Sequence, residues 1–389
     1  MEKKTQAAQA AQYFEESFHE SPRHIFFSPG RINIIGEHID YNDGYVLPAA
    51  IDKYVCLAIS ENPDSTCVLI ASDLHEDYKF DLNEKLEPVD KMWVNYFLGV
   101  LQQMKDRGFK MKGFRAVFTS TVPIGSGLSS SAALECAFAY AINEINYLGI
   151  DKKELALIGQ KAEHTFVGVM CGIMDQFASF FGKENQVIKL DCNTLEYKYH
   201  NADFQGYSLL LLDSNVKHTN LTSGYNTRRE ETATGLAAIK HRFPEVKTFR
   251  DCTVKHLLAL REELDDVVFR RCHFVVKEIQ RVLDAVVALE ASDFKRLGAL
   301  MYETHDGLSK EYEVSCDETD FLVNAVRFDE AVTGSRMMGG GFGGCTINLV
   351  KKGQEDRIIG RVAADYTSNF NIELKPYKIK IVDGTSRYQ

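Results

Sequence analysis

Apolar and polar positions along the chain change rhythm several times, and each change marks an element. Residues 1–19 show loose helical spacing and predict a mildly amphipathic helix. Residues 31–35 alternate as a strand that stops at Gly36. Phe114, Ala116 and Phe118 alternate as another, which runs into a loop near Pro123. After Ser131 the period turns helical, with Leu134, Phe138, Ala141, Ile145 and Leu148 on one face. A further helix is predicted from Asp151, where Glu154 completes a capping-box-like start and Leu155, Ile158 and Ala162 share a face. Residues 207–213 read as a short buried strand. In the second half, Val275, Ile279, Val282, Val286 and Leu289 outline a long amphipathic helix, and more helix is expected over 293–305. A glycine cluster follows, then a strand at 345–350, a helix at 354–370 and a last strand at 377–382. This order predicts two mixed helix-and-strand domains that meet near residues 195–215, with no linker to mark the boundary.

Composition narrows the picture. The chain has 389 residues, 45% hydrophobic and 26% charged, which suits a soluble globular protein of two or three domains. Its net charge of −10 argues against non-specific attraction to nucleic acid or anionic lipid. No apolar run reaches the length that crosses a bilayer, and the first residues lack the apolar core of a signal peptide. Nine cysteines without a C-x-x-C pair fit neither structural zinc nor a disulfide framework, so the expected compartment is the cytoplasm.

Four stretches carry candidate chemistry. The segment Pro123-Ile-Gly125-Ser126-Gly127-Leu128-Ser129-Ser130-Ser131-Ala-Ala lies between a predicted strand and helix. Its small residues let backbone approach a ligand, and the N–H groups and dipole of the helix favour an anion. It is neither a Walker A loop nor G-x-G-x-x-G, and phosphate binding outweighs a simple Ser/Gly turn. Gly339-Gly-Gly-Phe-Gly-Gly344 matches G-x-G-x-x-G formally, but a strand follows it, so the dinucleotide reading fails and a close-packing glycine turn remains. Gly30 to Asn42 gathers Arg31, Glu37, His38 and Asp40 around a strand end. The carboxylates can accept hydrogen bonds from a polyhydroxylated ligand, and a solvated polar turn weighs equally on these residues alone. Asp175, beside apolar residues, could be held ionised near Arg31 and serve as a base. Glu163 and Trp93 read by default as a surface carboxylate and a core aromatic.

Together these segments resemble the GHMP kinases, and within them the branch that phosphorylates galactose. Gly30 to Tyr41 is similar to that branch's signature nearly residue for residue. Residues 123–133 resemble the family's phosphate loop, and residues 339–345 its glycine-rich third motif. Ala162–Phe166, Gly172–Phe177, Trp93–Tyr96, Tyr225–Arg229 and Tyr312–Cys316 are similar too, so the likeness runs from about residue 23 to 350 in the family's order.

The resemblance implies an α+β, two-domain GHMP kinase fold. An N-terminal α/β domain with a left-handed β-α-β crossover, residues 1–205, would bind sugar and ATP phosphates. A ferredoxin-like C-terminal domain would span 206–389. The implied activity is ATP-dependent phosphorylation of D-galactose at the C1 hydroxyl, giving α-D-galactose 1-phosphate and ADP, the first step of galactose metabolism. Asp175 and Arg31 are implied as the catalytic pair, the first accepting the C1 hydroxyl proton and the second stabilising charge on the transferring group. Glu37, His38, Asp40, Gly172 and Tyr225 are implied as sugar ligands. Gly125, Ser126, Gly127, Leu128, Ser129 and Ser130 would wrap the ATP phosphates, Trp93 would lie near adenine, and Ser131 and Glu163 would hold Mg²⁺. Ile39, Asp43, Gly224 and Asp317 depart from the family pattern, and Ile39 and Gly224 lie next to implied sugar ligands. Galactose and ATP are the expected partners, with no nucleic acid, no membrane and a monomeric state. Two alternatives stand beside this one: a kinase of N-acetylgalactosamine or arabinose, and a non-catalytic galactose/ATP sensor. Such sensors lose the Ser-Ala part of the phosphate loop, whereas Ser131-Ala132-Ala133 is present here.

Overall fold

The segment His24–Asn33 forms the strand on which the site is built, and it is buried along nearly its whole length. In the computed structural model, which describes residues 2–217 and 221–389, this strand pairs antiparallel with Pro48–Glu61. The six-stranded sheet continues through Phe114–Ser120 and Thr66–Ala71 to Glu76–Asp81. Thr66–Ala71 and Phe114–Ser120 are parallel, so the chain crosses over between them, through the Met92–Asp106 helix. One face of the sheet carries the helices Ser130–Ile145 and Met174–Phe181; the Glu2–Phe18 helix covers the other. Successive residues of a strand point to opposite faces. Phe26 accordingly joins the main core, while Phe27 packs with Ala7, Ala10 and Phe14 of the N-terminal helix. Burial on both faces explains why Ile25, Phe26 and Phe27 stand as consecutive apolar residues instead of alternating. The alternation seen at 31–35 caught only its tail and the turn beyond it.

The second half follows a β-α-β-β-α-β order. Its four strands, Tyr207–Lys217, Val332–Met337, Gly343–Lys351 and Lys375–Lys378, pair antiparallel with the third and fourth flanking the first and the second at the edge. This is the ferredoxin-like arrangement. The Phe294–Lys310 helix lies so close on the sheet that a Cβ on Gly298 would fall 2.0 Å from the Thr333 carbonyl oxygen. One hydrophobic cluster extends from Phe26 through Val275 to Ile381, so the two halves share a core.

Several expectations change. The strand expected at 377–382 is Lys375–Lys378, and the chain then crosses back so that Ser386–Arg387 pairs with Phe26 and Phe27. Ser386–Arg387, within the 206–389 stretch, thus forms an edge strand of the first half's sheet. Asp151 caps its helix by accepting from the Glu154 amide (2.9 Å), but the Glu154 carboxylate turns to Arg107 (2.6 Å) instead of reciprocating. The Leu221–Arg242 helix gave no amphipathic signal, because among its described side chains few positions, such as Thr232 and Ile239, are buried. The helix expected over 1–19 is Glu2–Phe18, and residue 1 lies outside the described residues.

Candidate active site

Arg31 leaves the first strand at an irregularity in register and reaches Asp175, which sits in the first turn of the Met174–Phe181 helix. Nε donates to Oδ1 at 2.7 Å and Nη2 to Oδ2 at 2.9 Å, and Nη1 donates to the Gly127 carbonyl. The Ser129 hydroxyl also donates to Asp175 Oδ2. Burial opposes the charge on Arg31, but Asp175, Glu37 and Asp40 outweigh it and raise the guanidinium pKa. Gly30 is required just before it, since a Cβ there would meet the Leu128 carbonyl oxygen at 2.7 Å.

Beyond the strand the chain turns at Gly36, whose φ of +101° and close approach to the Tyr45 carbonyl exclude a side chain. Glu37, His38 and Asp40 follow, all nearly buried, and all face one cavity of about 380 Å³. Burial, then the charges of Asp175 and Glu37, pushes the Asp40 carboxyl up to about 7. Burial holds His38 down at about 4, hence neutral; its Nδ1 pairs with the Tyr41 hydroxyl at 2.9 Å, which pairs with that of Tyr312 at 2.8 Å. Gly172 touches Asp40 so closely that a Cβ would lie 2.0 Å from Oδ2. Tyr225, from the Leu221–Arg242 helix, completes this wall, with its ring centroid 5.3 Å from that of His38.

The opposite wall is the 123–131 loop. Gly125 and Gly127 take φ of +78° and +76°, and Gly127 has no room for a Cβ against the Met338 carbonyl, 2.9 Å away. The Ser130–Ile145 helix begins without a side-chain cap, so its first N–H groups are available to an anion. Gly339 packs against Gly127 and Gly344 against Ser126, which makes the 339–344 turn the support beneath the loop. Ser126 is buried, its hydroxyl donating to the Pro123 carbonyl (2.8 Å), and does not line the cavity.

Glu163 opens a wider, π-helical turn after Lys152–Ala162. Burial, then the charge of Asp175, pushes its carboxyl up to about 7, while the Ser131 hydroxyl hydrogen-bonds to it. Ser131 and Glu163 both line the cavity and present two hard oxygen donors. Among the described residues no cluster of three or more His, Cys, Asp or Glu is poised for a metal. Two such donors fit Mg²⁺ shared with phosphates, which does not require an all-protein cage.

Trp93 is not part of the cavity lining. Its indole N–H donates to Glu76 Oε2 (2.7 Å) and its ring packs on Phe97 and Phe118, while its neighbours Met92 and Tyr96 reach the cavity. Apart from Trp93 and Ser126, every residue implied as a catalytic, sugar, phosphate or Mg²⁺ contact lines this one space. Sequence reasoning missed the supporting residues. Gln176 Nε2 donates to both Glu163 Oε1 (3.3 Å) and Glu135 Oε2 (3.1 Å), and Glu278 Oε1 accepts from the Gly36 amide (2.9 Å). Glu135 stands as a carboxylate amid the alanines of a buried helix, a signal open to the sequence; Glu278 on its amphipathic helix gives no such signal.

Residues 95–183 match the GHMP kinases N terminal domain, 12–61 the galactokinase galactose-binding signature and 285–368 the GHMP kinases C terminal domain. These matches and the paired walls of the cavity define a small-molecule kinase of the GHMP class. The chain is 43% identical over 360 residues to a galactokinase of Thermotoga maritima, covering 92% of this chain and 99% of that one. The structure of Lactococcus lactis galactokinase complexed with galactose superposes with a TM-score of 0.94 at 32% identity, covering 98% and 99% of the two chains. Mevalonate kinase of Methanococcus jannaschii shares the fold alone, with a TM-score of 0.63 at 18% identity over 93% of this chain and all of that one (100%). The chain belongs to the galactokinase family.

Proposed function

We infer that this enzyme transfers the γ-phosphoryl group of ATP to the C1 hydroxyl of D-galactose, giving α-D-galactose 1-phosphate and ADP. The observation that carries this is the Arg31–Asp175 pair, which lies between a wall of hydroxyl-accepting carboxylates and a wall of phosphate-ready backbone in one cavity. The Lactococcus lactis galactokinase complexed with galactose supports the choice of sugar.

In this reading Glu37 and Asp40 accept sugar hydroxyls, and His38, Gly172 and Tyr225 shape the pocket around them. Asp175 receives the C1 hydroxyl proton as that oxygen bonds to the γ-phosphorus. The bond to the β,γ-bridging oxygen breaks, and ADP leaves with the electron pair. Arg31 supplies fixed positive charge beside the transferring group, and the 125–130 backbone holds the phosphates in line. Ser131 and Glu163 would hold Mg²⁺, which when bound neutralises phosphate charge. The exposed apolar side chains of Met92 and Ile124 at the mouth, next to Trp93, suit the adenine end of ATP. All nine cysteines are free thiols, in keeping with a cytoplasmic location, and no helix among the described residues is long and apolar enough to cross a membrane. The residues named in both walls come from one chain, which suits the expected monomer.

Initial rates of ADP release with MgATP and a sugar panel test the reading. Turnover with D-galactose and rejection of D-glucose support it. Faster turnover with N-acetylgalactosamine or arabinose transfers the assignment to that sugar, and galactose binding without turnover transfers it to a sensor.

A further inference from the structure

Glu37 is gripped from the other half of the chain. Its Oε1 accepts from the Gly339 amide at 3.0 Å and from Arg336 Nη2 at 3.1 Å, so Oε2 is the oxygen left to a ligand. Arg336 lies in the Val332–Met337 strand and is completely buried. Its guanidinium is itself locked by carbonyl oxygens: Nε donates to Ile34 (2.8 Å), Nη1 to Met337 (2.6 Å) and Nη2 to Asn33. Two of those carbonyls belong to the strand end that leads into Glu37, so one cation fixes both the backbone and the carboxylate of the loop.

A buried guanidinium is an expensive way to fill a core, because an apolar side chain of similar volume would pack there with no desolvation penalty. The rigid fork of arginine does what an apolar residue cannot, holding a carboxylate and two carbonyls in one plane. We propose that Arg336 is a positioning residue for sugar recognition: it orients the Glu37 carboxylate from the C-terminal half, so that the sugar hydroxyl meets an acceptor already in place. The sugar wall is then assembled only when the two halves of the chain are docked. The proposal rests on Glu37 being a sugar ligand.

Calorimetric titration of D-galactose into the full-length parent, Glu37→Gln, Arg336→Met and the double variant tests it, with melting temperature and the KM for ATP recorded alongside. If Arg336 acts through Glu37, each single change raises the galactose Kd by about tenfold or more, and the double change raises it no further than the worse single one. The KM for ATP stays within about twofold of the parent in this case. Should Arg336→Met fail to fold, Arg336→Lys retains the charge without the fork and is expected to weaken galactose binding while the protein still melts cooperatively. Additive losses in the double variant, or an intact galactose Kd in a folded Arg336 variant, overturn the proposal. An intact galactose Kd in Glu37→Gln instead removes Glu37 from the sugar site, a separate failure of the reading beneath it.

Discussion

Arg31 and Asp175 are joined by two parallel bonds, 2.7 Å from Nε to Oδ1 and 2.9 Å from Nη2 to Oδ2, although 144 residues separate them. The arginine is almost entirely buried while Asp175 keeps about a quarter of its side chain (27%) open to the cavity. The carboxylate is therefore fixed from behind and presented to substrate in front. Asp175→Asn keeps the shape but removes the proton acceptor, so kcat should fall by about 10²–10⁴-fold with cooperative melting retained. Steady-state kinetics and a thermal melt on the same sample check this.

Arg31→Lys preserves charge but not the fork, and a lysine cannot make two bonds in one plane. Turnover should drop sharply while D-galactose still binds, since Arg31 bonds directly to neither Glu37 nor Asp40. Titration of galactose beside a rate assay separates the two effects.

Gly172→Ala would place a methyl group 2.0 Å from Asp40 Oδ2, so the carboxylate must move. The expected result is a rise in the KM for galactose of about tenfold or more, with the KM for ATP little changed. Overpacking of this kind also costs about 1–3 kcal/mol of stability, readable in a denaturant melt.

The sugar wall carries opposing pH effects. The Asp40 carboxyl, pushed up to about 7, keeps its proton in the native state after the unfolded chain has lost it. Its contribution to stability is fully present below about pH 4 and is lost as pH rises through 7. His38, held down at about 4, works the other way: its contribution is present above about pH 6.5 and is lost as pH falls through 4. Subtracting the unfolding free energy of the parent from that of Asp40→Asn cancels the histidine. That difference should grow between pH 4 and 7 by on the order of a few kcal/mol.

Glu163→Gln replaces the charged one of the two oxygen donors proposed for Mg²⁺ with a neutral amide. The Mg²⁺ concentration for half-maximal rate should rise by about tenfold or more with an unchanged galactose KM. Binding of Mn²⁺ with ADP, followed by paramagnetic resonance, should weaken in parallel.

The elements were legible where one face is apolar and the other polar, as in the 266–290 helix, and where large apolar residues recur at helical spacing, as in the 130–145 helix that is buried almost all round. They were not legible in the Leu221–Arg242 helix, which buries few of its described side chains, or at Ser386–Arg387, whose partner lies more than 350 residues away. The candidate site was legible in its motifs because its chemistry is local: consecutive residues make the phosphate loop and the sugar signature. Its supports are distant in sequence. Arg336 and Glu278 look like ordinary strand and helix residues until the fold brings them behind Glu37 and Gly36, whereas Gln176 lies within the 172–177 segment, 13 residues after Glu163. Trp93 is half-buried, its ring on Phe97 and Phe118, while its neighbour Met92 reaches the cavity edge.

Phosphorus NMR of a reaction containing MgATP, D-galactose and either the parent or Asp175→Asn tests the central claim most directly. The account predicts that the parent converts ATP to ADP while a sugar 1-phosphate resonance grows in equal amount, and that the variant forms neither at a comparable rate. ADP without a sugar phosphate, or undiminished product from Asp175→Asn, would contradict it.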